Sequence, residues 1–281
     1  DKDARVVEGV AALGFGHIEV GTLTPQPQAG NPRPRIFRLP ADAALINRMG
    51  FPNGGVEAAA PRLRALAARP RPFVLGVSLG KQKETPLEEA AADYVAVMRA
   101  VYAYADYLAV NISSPTTPGL RQLQGGRYLE RLLASLLAER DALAAAAGGA
   151  PKPLWVKIAP DLSDAELDEV LAALTAAGVD GVIATNTTLA RDGLGDPQRA
   201  ESGGLSGRPL RARSTAIVAA IHRRAGGALP IIGVGGVATA DDVREKLDAG
   251  AAVVQLYTGL VYGGPGLPGR LLRALAAQAW A

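Results

Sequence analysis

The chain has 281 residues, 48% hydrophobic and 20% charged, with a net charge of +3 and a pI near 9.3. That composition belongs to a soluble globular protein, and the length suits one domain of the size an α/β barrel takes, about 250 residues. The basic excess forms no Lys/Arg block of the kind that binds nucleic acid, the absence of cysteine excludes disulfides, thiolate metal sites and a Cys nucleophile, and no apolar run approaches the roughly 18 residues of a membrane helix.

No signal peptide is visible; the first residue is Asp1 rather than Met, and a targeting or membrane-contacting segment upstream of it would not be seen here. Residues 17–22 predict a strand. Residues 31–48 form an excursion, a Pro-rich arm followed by extended pieces at 35–39 and 43–46. Residues 54–68 predict a helix with Leu63, Leu66 and Ala67 on one face. Residues 73–79 predict a strand and 86–104 a helix with Pro86 in its first turn.

The apolar run 107–110 predicts a buried strand that ends at Asn111-Ile112-Ser113-Ser114-Pro115, because Pro115 cannot donate to a sheet ladder. A long helix over 127–147 stops at Gly148-Gly149, and 154–158 is the next strand. Ser163 and Glu166 form a capping box for a helix that ends at Gly178. Strand 180–184, an irregular Gly-rich loop over 186–206, helix 209–224, strand 230–234, helix 240–249, strand 252–256 and helix 267–277 complete the chain.

The strands are nearly continuous apolar runs, as in parallel sheets covered on both faces. Seven βα units are present against the eight of a closed barrel. The expected fold is therefore a (β/α)8 TIM barrel, a single domain over 1–281, whose first strand and N-terminal helical region would precede Asp1. An open doubly wound sheet is the alternative, weakened by the lack of a G-x-G-x-x-G turn after any strand.

In such a barrel the C-terminal ends of the strands converge on one pocket. Here they carry Thr22, Ser78, Asn111, Lys157, Thr185-Asn186-Thr187, Gly233 to Gly236 and Tyr257-Thr258-Gly259. The glycines of the last two strands suit a phosphate, approached through backbone N–H groups, or else pack helices against strands; the phosphate reading is favoured. Lys157 lies among apolar residues and either reaches the rim or is itself a cation held beside developing negative charge, such as the pyrimidine edge of a reduced flavin. Lys2, in Asp-Lys-Asp, reads by itself as a solvated charge. A hydrolase triad is not expected: His17 begins a strand at the far end, His222 falls within a helix, and Ser114 has no His partner. Ser114 would instead accept a proton in a desolvated site, with Thr117 as a relay. The strand ends hold no His/Asp/Glu cluster for a metal.

Asp1-Lys2-Asp3, Ile18-Glu19-Val20-Gly21-Thr22, Asn47-Arg48-Met49-Gly50-Phe51, Asn111 to Pro115, Lys157-Ile158-Ala159-Pro160-Asp161-Leu162, Ala184 to Thr188, Gly203 to Pro209 and Ile232 to Gly236 occur in this order. Together they resemble the motifs of the dihydroorotate dehydrogenases, class 2, the quinone-linked, membrane-associated type. The other class carries Cys at the base position. The resemblance implies an FMN-containing barrel that oxidises dihydroorotate to orotate in pyrimidine synthesis and passes electrons to a quinone. It implies Ser114 as the catalytic base. It implies that Lys2, Asn47, Arg48, Met49, Gly50, Phe51, Asn111, Thr116, Asn186 and Thr187 hold substrate. It implies that Lys2, Thr22, Ser78, Asn111, Lys157, Thr185, Gly207, Gly236, Tyr257 and Thr258 hold FMN. A monomer at the cytoplasmic side of the cell membrane is implied, in peripheral contact through the absent N-terminal region, with no nucleic-acid partner.

Two positions depart from the family pattern. Thr116 stands where the family usually has a substrate-binding Asn, and Ser78 where it has an Asn that contacts flavin. A flavin barrel acting on another pyrimidine or an enone, or a non-catalytic barrel, are the alternatives.

Overall fold

The structure, a computed structural model, describes residues 1–279. A short helix α1 (Val7–Ala11) leads into strand β1 (His17–Leu23), and β2 (Ile36–Leu39) and β3 (Ala44–Asn47) form the excursion. Helix α2 (Gly55–Ala67), β4 (Val74–Leu79), α3 (Ala90–Val101), β5 (Tyr107–Asn111), α4 (Gly126–Ala147), β6 (Leu154–Ile158) and α5 (Asp164–Ala177) follow. The rest are β7 (Gly181–Ala184), β8 (Gly204–Gly207), α6 (Arg211–Arg224), β9 (Ile231–Val234), α7 (Ala240–Asp248), β10 (Val253–Gln255), α8 (Thr258–Gly263) and α9 (Leu267–Ala279).

Strands β1, β4, β5, β6, β7, β9 and β10 lie in that order in one parallel sheet. Each crossover between neighbours contains a helix, as parallel strands require. The sheet curls until its edges approach: Gln255 on β10 donates from Nε2 to Glu19 Oε2 on β1 at 3.2 Å. This is the barrel expected, with seven strands among the described residues. Inside it, Tyr107, Ala109, Ile183 and Ile232 pack with Trp155 and Val234. The rings of Tyr107 and Trp155 meet edge to face at 6.4 Å. Gly76 and Gly181 leave the space those two rings fill.

The alternate residues of the same strands, among them Leu108, Val110, Val156, Val182 and Ile231, face outward into the main core beneath the helices. Ser163 and Glu166 cap α5 reciprocally, and Gly178 ends it with a φ of 76°. Leu63 and Leu66 are buried on α2 as expected, but Ala67 is exposed; Ala59 completes that face instead. No helix of the described residues is long and apolar enough to cross a membrane.

The loop expected to be irregular over 186–206 contains a strand. β8 pairs antiparallel with β3, Ala44 opposite Gly207 and Asn47 opposite Gly204, to make a second sheet in the order β2-β3-β8. Its sequence, Gly-Leu-Ser-Gly, has weak strand preference, and the free edge of β3 supplies the pairing that propensity does not. Phe37, Leu39, Ala44, Ile46, Leu194 and Leu205 form its own small core. Thr258 Oγ1 donates to Ser206 and Tyr262 Oη to the Ala44 carbonyl, so this sheet is tied to α8 beside the C-terminal ends of the barrel strands.

Candidate active site

The strand ends are joined by one chain of buried hydrogen bonds. Asn111, the last residue of β5, donates from Nδ2 to Thr22 Oγ1 at 2.8 Å, and Thr22 Oγ1 lies 2.9 Å from Ser78 Oγ. From β7, Asn186 Nδ2 reaches Ser113 Oγ at 3.0 Å and Asn111 Oδ1 at 3.3 Å. β1, β4, β5 and β7 therefore deliver amides and hydroxyls to one place. β6 adds Lys157, in register with Asn111. Thr185 is buried at the end of β7, its N–H on the Val234 carbonyl of β9.

Ser114 is 6% exposed. Its Oγ lies 3.0 Å from Thr116 Oγ1 and accepts from the Thr116 N–H at 3.4 Å. The 47–51 stretch leans on this loop: Gly50 N–H donates to Thr116 Oγ1 at 3.3 Å, and Asn31 Nδ2 bridges the carbonyls of Arg48 and Thr116, 3.1 Å to each. Phe51 is buried at a φ of 50°. Thr117 Oγ1 is buried and has no partner among the described residues, so it has hydrogen-bonding capacity to spare. His17 lies at the opposite end of β1, in register with Val74, and His222 on α6; neither approaches Ser114.

Lys2 is not the solvated charge its neighbours suggest. The Asp1 carbonyl accepts from Gly21 N–H at 3.0 Å, and Asp3 accepts from Gly54 N–H at 2.8 Å, which lays the segment along the end of β1. Burial first, and then the charge of Lys157, lower the Lys2 pKa to about 8 against the opposing pull of Asp3 and Glu19. Lys157 faces Glu19 Oε1 at 3.6 Å. The other oxygen of Glu19 accepts from Tyr107 Oη at 3.1 Å and from Gln255. Lys157 pairs with the half-buried Glu19 carboxylate and Lys2 feels the charges of Glu19 and Asp3, so two ammonium groups, balanced in part by two carboxylates, stand on one side of the pocket.

At the other corner, Gly207 has a φ of 98° and Gly236 a φ of 73°. A Cβ on Gly207 would stand 2.4 Å from the Ala43 carbonyl, and one on Gly236 would stand 2.5 Å from Arg211 Cβ. Only glycine fits either place, and Thr258, buried at the start of α8, borders the first. The residues fit a flavin: amides and hydroxyls for ring edges, a cation near Asn111, and a glycine corner for a phosphate.

Some of the expected side chains face elsewhere. Arg48 points away, onto Glu201 at 2.7 Å and over the Phe37 ring at 4.5 Å. Tyr257 is 66% exposed. Met49 lines a shallow groove with Arg33, Pro34, Arg35 and Ile36. Sequence reasoning missed Glu19 and Asn31. For Glu19 a signal existed: a charge between Ile18 and Val20 alternates to the barrel interior.

The family model described as "Dihydroorotate dehydrogenase" matches residues 1–278. The chain belongs to the dihydroorotate dehydrogenase family. It is 55% identical over 278 residues to the dihydroorotate dehydrogenase (quinone) of Chloroflexus aurantiacus, spanning 98% of this chain and 76% of the relative. It is 54% identical over 277 residues to that of Chromobacterium violaceum, spanning 98% and 79%. The crystal structure of DHODH from Eimeria tenella in complex with ferulenol superposes with a TM-score of 0.94 at 39% identity, covering 99% of this chain and 80% of that one. The family is one of flavin-dependent oxidoreductases, which agrees with the pocket.

Proposed function

We propose that this chain oxidises dihydroorotate to orotate with Ser114 as the base, FMN as the flavin and a quinone as the final electron acceptor. The carrying observation is the Ser114 hydroxyl, buried beside the Thr116 N–H and hydroxyl, on the loop that follows the amide of Asn111. Donors aimed at that oxygen favour its negative form, which is what proton abstraction needs. Membership of the family, with relatives named for a quinone, supports the substrate and the acceptor.

The chain's own groups divide the work. Lys2 offsets the substrate carboxylate. Asn111, Asn186 and Thr187, with Asn47 and the 49–51 backbone, hold the edges of the planar ring. Ser114 takes the proton from C5, and burial keeps water from competing for it. Flavin, when bound, supplies the acceptor for the hydride leaving C6. Thr22, Ser78, Asn111 and Thr185 would hold its ring edges, Gly207, Gly236 and Thr258 its phosphate, and Lys157 would offset charge gained at its pyrimidine end. The chain acts as a monomer, peripheral to the cytoplasmic side of the cell membrane, a reading carried by family resemblance alone.

The test is an anaerobic absorbance spectrum before and after dihydroorotate. The protein should be yellow and bleach, and Ser114→Ala should slow bleaching by orders of magnitude with flavin retained. Normal bleaching in that variant removes Ser114 from the role. A second reading, action on another pyrimidine or an enone, draws on the Thr116 hydroxyl where the family usually has an amide; turnover of dihydroorotate, dihydrouracil and an enone separates the two.

A further inference from the structure

Arg121 stands after the Ser114 loop, on the 3-10 turn Leu120–Gln124 that precedes α4. Its guanidinium makes three bonds to three different strand-end loops. Nε donates to the Ser113 carbonyl at 3.0 Å, Nη1 to Asp161 Oδ2 at 2.7 Å and Nη2 to the Thr187 carbonyl at 2.8 Å. Ser113 immediately precedes Ser114, and Thr187 follows the amide of Asn186. Asp161 lies four residues beyond Lys157 and extends the clamp, accepting from the Thr188 hydroxyl and from the Leu189 N–H at 3.0 Å. The Arg121 side chain is only 21% exposed.

We infer that Arg121, braced by Asp161, is a positioning residue that sets the Ser114 hydroxyl against the Asn186-Thr187 edge of the substrate pocket. The inference rests on the reading of Ser114 as the base.

The physical case is one of reach and rigidity. Residues 114–117 contribute no strand pairing; the Ser114 and Thr116 hydroxyls bond each other, and Thr116 touches Gly50 and Asn31. Those contacts tie the loop to the 31–51 excursion, not to β6 or β7. Arg121 runs to both the β6 and β7 loops at once, whereas Asn186 on Ser113 Oγ reaches β7 alone and Gln124, accepting from the Ala159 N–H, reaches β6 alone. A planar fork with donors in fixed directions can hold two carbonyls and a carboxylate at once, and a lysine ammonium cannot reproduce that geometry. A displacement of the base by about 1 Å costs a reaction on the order of 100-fold. No bond of the clamp goes to the glycine corner or to Lys157, so those two flavin-holding places do not depend on it directly.

The experiment is a double-mutant cycle on the flavin-loaded protein, with anaerobic reduction by dihydroorotate followed in a stopped-flow instrument. Arg121→Lys should slow reduction by about 100-fold. Flavin content and re-oxidation of the reduced protein by ferricyanide should not change. The pH midpoint of reduction should rise, because Ser114 drifts from the donors that favour its anionic form. In a Ser114→Ala background the same change should cost less than about threefold, since the group it positions is gone. Asp161→Asn, which leaves the guanidinium in place, should give the same pattern more weakly. Should Arg121→Lys lose its flavin or fail to fold, Asp161→Asn carries the cycle. Equal slowing in both backgrounds, or no slowing with Ser114 present, overturns the positioning role while leaving the base assignment standing. Normal reduction by Ser114→Ala alone overturns the base assignment, and the positioning role with it.

Discussion

The hydroxyls of Ser114 and Thr116 lie 3.0 Å apart, and the Thr116 oxygen in turn accepts from the Gly50 N–H. With a lone pair of Thr116 engaged by Gly50, its own proton is free to point at Ser114. Thr116→Val removes that donor and keeps the shape. A hydrogen bond to a charged group is worth about 1.5–3 kcal/mol, so flavin reduction by dihydroorotate should slow roughly 10- to 100-fold at pH 7. Thr116→Asn places an amide where a planar substrate would lie and should lower KM. Stopped-flow reduction and steady-state KM check both.

Lys2 should give substrate binding a pH limit. With its pKa lowered to about 8, its charge fades above that pH, and KM for the anionic substrate should climb between pH 8 and 10. Lys2→Met should have a high and flat KM over the same range. Stability runs the other way. The unfolded lysine holds its proton to about 10.5, so between pH 8 and 10.5 the unfolded chain binds more protons and stability rises with pH. Lys246, also lowered to about 8 by burial, adds a rise of the same sign. Lys2→Met should therefore reduce, not abolish, the gain in urea midpoint from pH 7 to pH 10.

Glu19→Gln should leave Lys157 and Lys2 without their shared carboxylate. Removing one partner of a buried pair costs about 3–5 kcal/mol, and partial exposure of both side chains puts this one near the lower figure. The urea midpoint should fall accordingly. Because Glu19 also raises the Lys2 pKa, the KM rise in this variant should begin at a lower pH than in the parent.

Gly236→Ala and Gly207→Ala should yield flavin-poor protein. Each new Cβ meets backbone or side-chain atoms at 2.5 Å or closer, at a positive φ that alone costs an L-residue about 1–2 kcal/mol. Flavin released per mole of protein on denaturation should drop about tenfold or more for both. Gly149→Ala, with nothing within 4 Å and no positive φ, should retain the parent's flavin.

The strand ends that matter were legible because parallel strands expose them in sequence: an apolar run, then Asn111, Ser113 and Ser114 before a proline. Lys157 stood out by the same logic, a cation inside an apolar run. β8 was hidden because Gly204 and Gly207 weaken any strand pattern, and its pairing depends on an edge some 160 residues earlier in the chain. The outward turn of Arg48 was hidden likewise, since its partners Glu201 and Phe37 come together only when the small sheet forms.

The order of elements, the barrel and the polar identity of its rim followed from residues near one another in the chain, through alternation, capping and glycine stops. Which charges share Glu19, why Lys2 is desolvated and where Arg121 spends its three donors were decided by tertiary structure. Apart from the Arg121 bond to Ser113, these contacts join groups well separated in the chain, and their meeting depends on how far a parallel sheet twists and curls, a property of the packed whole that no local pattern encodes.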